Sequence, residues 1–186
     1  MSAYRDVIMA GFGGQGVMLI GNLLAQAAME SGLNVTFVPA YGVEMRGGTA
    51  NCTVILDEEI IGSPVVQRPL SIIVLNQPSL NKFQPRLAKG GVQIVNSSLI
   101  DVSYVDPSIR SLLVPVNDIA AKLGNAKLLN MVALGAWVHA MNALPLTAVQ
   151  EALHRIISSH YVKLIPANAA ALAMGYDFAR ECARAG

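Results

Sequence analysis

Apolar positions change their period several times along this chain, and each change predicts an element. Val7 to Ala10 is a continuous apolar run, after which Gly11, Gly13, Gly14 and Gly16 fall within six residues. Beyond the glycines, Val17, Ile20, Leu24, Ala27 and Ala28 recur at helical spacing until Ser31-Gly32. The pattern predicts a strand, a tight turn and a helix from about Gly14 or Gln15 to Glu30. Asn34 to Val38 reads as the next strand. With such short loops the three elements form a βαβ unit, so the two strands are expected as a parallel pair in right-handed crossover.

From Thr49 the period becomes two. Ala50, Cys52, Val54 and Leu56 alternate with Thr49, Asn51, Thr53 and Ile55, which predicts a strand with one strongly apolar face. Asp57-Glu58-Glu59 reads as a polar turn and Ile60-Ile61 as a short return strand stopped by Gly62-Ser63-Pro64, a hairpin that makes the sheet mixed. Further core strands are expected at Leu70 to Leu75, Val92 to Val95 and Leu112 to Val116, with a short helical piece around Ser79 to Leu87. The rest is helical. A short helix is capped by Asn117 or Asp118 and closed by Gly124, and an apolar helix runs from Leu128 to Met141. A third, opened by a Thr147-x-x-Gln150 capping box, reaches Ser159, and a last one opens at Pro166 with an interruption at Gly175. Leu129 to Trp137 is apolar all round and so is expected to be buried on every side. The strand spacing leaves one helical layer for each sheet face, giving an α/β protein of three-layer α/β/α architecture with a mostly parallel sheet.

Composition sharpens this picture. At 186 residues the chain is expected to form one domain spanning residues 1–186. It is 53% hydrophobic and only 13% charged, with mean hydropathy +0.47. The apolar excess must enter the core or a surface that a partner covers, and so low a charge favours the partner. No apolar run approaches the length of a membrane span. The net charge is +1 with no basic stripe, so nucleic-acid binding has no footprint. Cys52 and Cys182 are far apart in sequence and belong to no Cys-x-x-Cys, so this chain alone builds neither an iron–sulfur cluster nor a zinc site. Two free thiols and an N-terminus that enters the first strand directly suit the cytoplasm.

The chemistry concentrates at Gly11-Phe12-Gly13-Gly14-Gln15-Gly16. Glycines admit positive φ and close backbone approach, and the helix that follows turns unpaired N–H groups and its positive end towards the loop, so a phosphate would fit there. A turn that serves strand–helix packing alone fits the motif equally well. A nicotinamide dinucleotide would need a ribose-binding carboxylate at the end of the second strand, but that strand runs into Pro39-Ala40-Tyr41, and Glu30 lies at the helix end. Gly-Lys-Ser/Thr and Gly-x-Ser-x-Gly are both absent, which removes the P-loop and the nucleophile elbow. His139, His154 and His160 lack metal-ligand spacing. Cys52 reads as a packed thiol on the apolar face of its strand. A second glycine-rich loop carries Tyr41, Glu44, Met45, Arg46, Gly47 and Gly48. Glu44 and Arg46 could orient a substrate carboxylate or hold the loop to its neighbour. No catalytic constellation emerges, which suggests a subunit of a larger enzyme.

Gly11 to Gly16, Tyr41-Gly42-Val43-Glu44-Met45-Arg46-Gly47-Gly48-Thr49-Ala50-Asn51-Cys52, Ile61-Gly62-Ser63-Pro64 and Asn130-Met131-Val132-Ala133-Leu134-Gly135-Ala136 together resemble the gamma subunit of the 2-oxoacid:ferredoxin oxidoreductases. The likeness covers nearly the whole chain; family members often carry Pro where Val43 stands. The resemblance implies a fold like domain III of pyruvate:ferredoxin oxidoreductase and oxidative decarboxylation of a 2-oxoacid to an acyl-CoA with reduction of ferredoxin. It implies that thiamine diphosphate, Mg and 4Fe-4S clusters reside on partner subunits of alpha, beta and delta type. Coenzyme A (CoA) would place a phosphate at Gly11, Gly13, Gly14, Gln15 and Gly16, while Tyr41, Glu44, Met45, Arg46, Gly47 and Gly48 would face the partner's active site. Pyruvate, 2-oxoglutarate and branched-chain oxoacids are the candidate substrates, the Glu-Met-Arg-Gly-Gly form leaning towards the latter two, and indolepyruvate-type relatives share the glycine motif. The alternative is a non-catalytic assembly subunit with no ligand of its own.

Overall fold

The computed structural model describes residues 4–40 and 49–185. Six strands form one mixed sheet: β1 (Arg5–Phe12), β2 (Asn34–Ala40), β3 (Thr49–Asp57), β4 (Ser71–Val74), β5 (Val92–Asn96) and β6 (Arg110–Val114), in the order β2-β3-β1-β4-β5-β6. β1, β4, β5 and β6 run parallel, while β3 lies antiparallel between β1 and β2. The helices are α1 (Val17–Glu30), α2 (Gln77–Phe83), α3 (Val116–Lys122), α4 (Leu129–Met141), α5 (Leu146–Ile156) and α6 (Ile165–Ala185).

The two faces are covered unequally. Val7, Met9, Cys52, Val54, Ile73 and Ile94 look into a large core shared with α1, α3, α4, α5 and α6. On the other face Ile8, Ala10, Ile72 and Val74 pack with Leu80 and Phe83 of α2. The run Val7–Ala10 is continuously apolar because both of its faces are buried. The buried residues of α4 extend from Asn130 to Val138, with the indole of Trp137 donating to Ser71 Oγ at 2.8 Å.

Several expectations need correction. β1 and β2 point the same way but are not neighbours, because β3 inserts between them. The hairpin therefore joins β2 to β3. Both edges of β3 are occupied, so Ile60-Ile61 cannot return along it, and Ile60 is 90% exposed. The last strand begins and ends two residues early. Pro115 then stands at the N-cap of α3, leaving Asn117 and Asp118 inside its first turn. The capping box of α5 does not form. Pro145 precedes the helix, and the amide of Gln150 donates to Ala169 O on α6. Finally, α6 runs through Gly175 without a break. A Cβ at Gly175 would overlap the backbone of Val132, and one at Gly135 that of Leu172, so these two glycines let α4 and α6 cross backbone to backbone.

Candidate functional site at the carboxyl end of the sheet

The connection from β1 through α1 crosses one face of the sheet and that from β4 through α2 crosses the other. The carboxyl ends of β1 and β4 therefore flank the point where the winding reverses, the place where open α/β sheets leave a crevice for ligands. The glycine turn occupies that point.

The turn is closed by Gln15 N–H donating to Phe12 O at 3.1 Å. Gly14 has φ 94° and Gly16 has φ 74°, values that L side chains rarely adopt. Gly16 is the N-cap of α1 in the left-handed region, and its carbonyl accepts from Ile20 N–H at 3.2 Å. Among the described residues no side chain caps α1, and its first turn contains no acidic residue. Among the described residues, the N–H groups of Gly13, Gly14 and Gly16 meet no acceptor. Gly13 and Gly14 are exposed, and Phe12 and Leu19 beside them expose apolar surface. Unpaired N–H donors at the positive end of a 14-residue helix offer an anion hydrogen bonds and a favourable field.

Gly11 and Gln15 do different work from the other three. Gly11 lies buried within β1 opposite Ala50, and a Cβ there would come 2.6 Å from Gln15 Oε1. The Gln15 amide is turned inward. Its Oε1 accepts from Phe12 N–H at 2.6 Å and, at a long 3.4 Å, from Asn76 Nδ2, while Nε2 reaches Leu75 O at 3.5 Å. Gln15 thus ties the turn to the end of β4, and Gly11 makes the room.

Three buried asparagines that sequence reasoning missed complete the rim. Asn76 accepts from Ser79 N–H at 2.9 Å, capping α2. Asn96, at the end of β5, donates to Leu75 O at 3.1 Å and to Asn117 Oδ1 at 2.8 Å. Asn130, on the second residue of α4, donates to Gly16 O at 3.2 Å. The available signal for Asn130 was a single polar residue in an otherwise apolar stretch; for Asn76 it was its place before Gln77-Pro78.

Tyr41, Glu44, Met45, Arg46, Gly47 and Gly48 lie outside the described residues. The flanking residues are described: Ala40 ends β2, and Thr49 begins β3 opposite Phe12, the last residue before the turn.

Other candidate chemistry is dispersed. Cys52 is buried against Val17 O at 3.5 Å, and burial pushes its thiol up to about 12. His139 stacks edge-on with Tyr176 at 4.8 Å; burial, followed by the Arg180 and Arg184 charges, holds its pKa below the ordinary value. His154 and His160 are exposed. Among the described residues, no three His, Cys, Asp or Glu side chains gather into a metal site, and no helix is long and apolar enough to cross a membrane.

The family model described as pyruvate ferredoxin/flavodoxin oxidoreductase matches residues 6–178. The ketoisovalerate oxidoreductase subunit VorA of Methanothermobacter thermautotrophicus is 40% identical over 179 residues, which cover 94% of this chain and 36% of that protein. The chain thus spans little more than a third of that relative's length. The keto/oxoacid ferredoxin oxidoreductase gamma subunit of Geobacter sulfurreducens PCA superposes with a TM-score of 0.81 at 26% identity, covering 95% of this chain and 99% of that one. The 2-oxoglutarate:ferredoxin oxidoreductase of Magnetococcus marinus, solved with 2-oxoglutarate, coenzyme A and succinyl-CoA bound, shares the fold with a TM-score of 0.86 at 20% identity, covering 96% of this chain and 31% of that one. Fold, matched length and relatives agree: the chain belongs to the pyruvate ferredoxin/flavodoxin oxidoreductase family and is built as its gamma subunits are.

Proposed function

We propose that this chain is the gamma-type subunit of a 2-oxoacid:ferredoxin oxidoreductase and seats a phosphate of CoA in its glycine turn. The observation that carries the reading is the set of N–H groups at Gly13, Gly14 and Gly16, without acceptors among the described residues, at the head of α1 and at the winding reversal of the sheet. CoA is the acceptor of the acyl group in the reaction proposed, and its phosphates are the anions such a turn selects. The relative from Magnetococcus marinus was solved with CoA bound, which supports the choice of ligand. The residues fit the group: Gly13 and Gly14 are exposed, and a Cβ at Gly14 would meet no described atom within 4 Å.

Thiamine diphosphate with Mg, and the 4Fe-4S clusters that pass electrons to ferredoxin, are assigned to partner subunits, which also cover part of the apolar surface of this one. The Tyr41–Gly48 loop is assigned to the partner's active site, which suits flanking residues that lie beside the turn. The 40% identity to a ketoisovalerate oxidoreductase subunit favours a branched-chain 2-oxoacid as substrate. The complex is placed in the cytoplasm.

One observation favours a second reading, in which the glycines serve packing and other chains hold CoA. At Gly11 and Gly16 a Cβ would strike Gln15 and Asn130. Gly14 separates the two readings, since among the described residues no atom lies within 4 Å of a Cβ placed there. Gly14→Asp in the assembled complex puts a carboxylate at the seat, and Gly14→Asn supplies a neutral side chain of the same size; both residues tolerate positive φ better than most. Calorimetric titration should show CoA weakened roughly thirtyfold by the Asp variant and largely unchanged in the Asn variant. Equal CoA affinity in wild type and Gly14→Asp rejects the seat.

A further inference from the structure

We propose that Asn130 is a positioning residue for the anion seat: its buried amide sets the conformation of Gly16 and so aims the N–H groups that receive the phosphate. This inference rests on the reading of the turn as the CoA seat. Asn130 is 3% exposed, the one polar side chain among the buried residues of α4, which otherwise run Met131, Val132, Ala133, Leu134, Gly135, Ala136, Trp137 and Val138. An amide in such surroundings is costly unless both of its ends are satisfied. Both are. Nδ2 donates to Gly16 O at 3.2 Å, and Oδ1 accepts from Met131 N–H at 2.9 Å.

The two bonds link two helix starts. Gly16 is the N-cap of α1, and its carbonyl also accepts from Ile20 N–H at 3.2 Å, so it is held from within its own helix and from α4 at once. Asn130 sits on the second residue of α4, whose N-cap, Leu128, offers no side-chain acceptor. Its Oδ1 supplies one to the first turn. The amide also lies against Gly16 Cα so closely that a Cβ at residue 16 would overlap Nδ2. Gly16, at φ 74° and ψ 24°, is thereby held between its own helix and the Asn130 amide. Gln15 anchors the same turn from the β4 side through Asn76 and Leu75 O. The seat is thus clamped from two directions by neutral amides that need not touch the ligand. The positive end of α4 is also brought beside that of α1, where both favour an anion.

The test compares CoA with pantetheine, which carries the same thiol arm but lacks the phosphates, on the assembled complex. Asn130→Leu keeps the bulk and removes both hydrogen bonds; Asn130→Ala removes both without adding bulk or charge. Either variant should weaken CoA about tenfold while the pantetheine dissociation constant stays within twofold, and Ala decides the matter if the Leu variant does not assemble. A fall in thermal midpoint with the ratio of the two constants unmoved would mean that Asn130 only packs, and overturns the inference. Gly14→Asp keeps the two levels apart. If it lowers CoA affinity while the Asn130 variants leave the ratio unchanged, the inference alone fails. If none of the three moves the ratio, the seat itself is wrong.

Discussion

The two ends of the parallel strands handle charge in opposite ways. At the amino end, a cleft between α4, α6 and the starts of β5 and β6 is lined by Arg110, His139 and Cys182, and an adjoining hollow by Lys89, Gly90 and Arg110. Its charge sits on the tips of side chains. At the carboxyl end the described rim holds Gln15, Asn76, Asn96, Asn117 and Asn130, all neutral and bonded to one another or to backbone. Its positive character comes from N–H groups and a helix start. Flexible cations lose rotamer freedom and hydration when they grip an anion, whereas backbone donors held by the fold are already in place. The glycine turn, bonded to the neutral amides of Gln15 and Asn130 and with the carboxylate of Asp118 further along the same end beside Ser98, is on the proposed reading the better-prepared anion seat.

α4 connects the two ends, from Asn130 at the glycine turn to His139 at the amino-end cleft. The largest effect is accordingly expected midway. Gly135→Val drives a side chain into the backbone of Leu172, and overpacking of this kind should cost about 3 kcal/mol or prevent assembly, read as a drop in thermal midpoint. Both ends should suffer together. Next comes Gly14→Asp, where a carboxylate near a bound phosphate should weaken CoA by ~2 kcal/mol, roughly thirtyfold, with a far smaller change in melting. An equal loss in both measurements would contradict the separation drawn between seat and scaffold.

At the amino end, His139 gives a gentler signature. Burial and the nearby Arg180 and Arg184 hold its folded pKa below the ordinary value of 6.5. The folded state therefore binds this proton less readily than the unfolded chain. The stability that follows is present above pH 6.5 and is lost as pH falls through the depressed folded value. Urea unfolding of His139→Gln should show a flatter dependence across that window than wild type; parallel curves would remove His139 as the cause. The smallest effect belongs to the double variant Lys89→Ala, Arg110→Ala. CoA binding should stay within twofold and stability within about 0.5 kcal/mol, as for ordinary surface positions. A loss of CoA affinity as large as that of Gly14→Asp would reverse the comparison between the two ends.

Much of this arrangement was legible in local pattern. The apolar run, the glycines and the periodic residues from Val17 to Ala28 specified β1, the turn and α1, and the alternation from Thr49 to Leu56 specified β3. The buried character of α4 followed from its composition. Readings that needed a distant partner fared worse. Ile60-Ile61 looked like a strand until β1 and β2 took both edges of β3. Gly175 looked like a break because glycine weakens an isolated helix, yet it is a contact made possible only by Val132 on α4. The reach of the Gln15 amide to Leu75 O, at the end of β4, is likewise a contact that only the fold supplies.

The sequence by itself determined β1, the glycine turn, α1, β3 and the buried α4, and that the glycine turn would expose backbone at the head of α1. These outcomes depend on residues within a few positions of one another, where periodicity and steric freedom act directly. Tertiary structure alone decided that β3 separates β1 from β2, that α4 and α6 cross at two glycines, and that Asn130, 114 residues away, would clamp Gly16. Those are pairings between remote parts of the chain. They are chosen by which edges, grooves and unpaired polar groups remain once the local elements have formed.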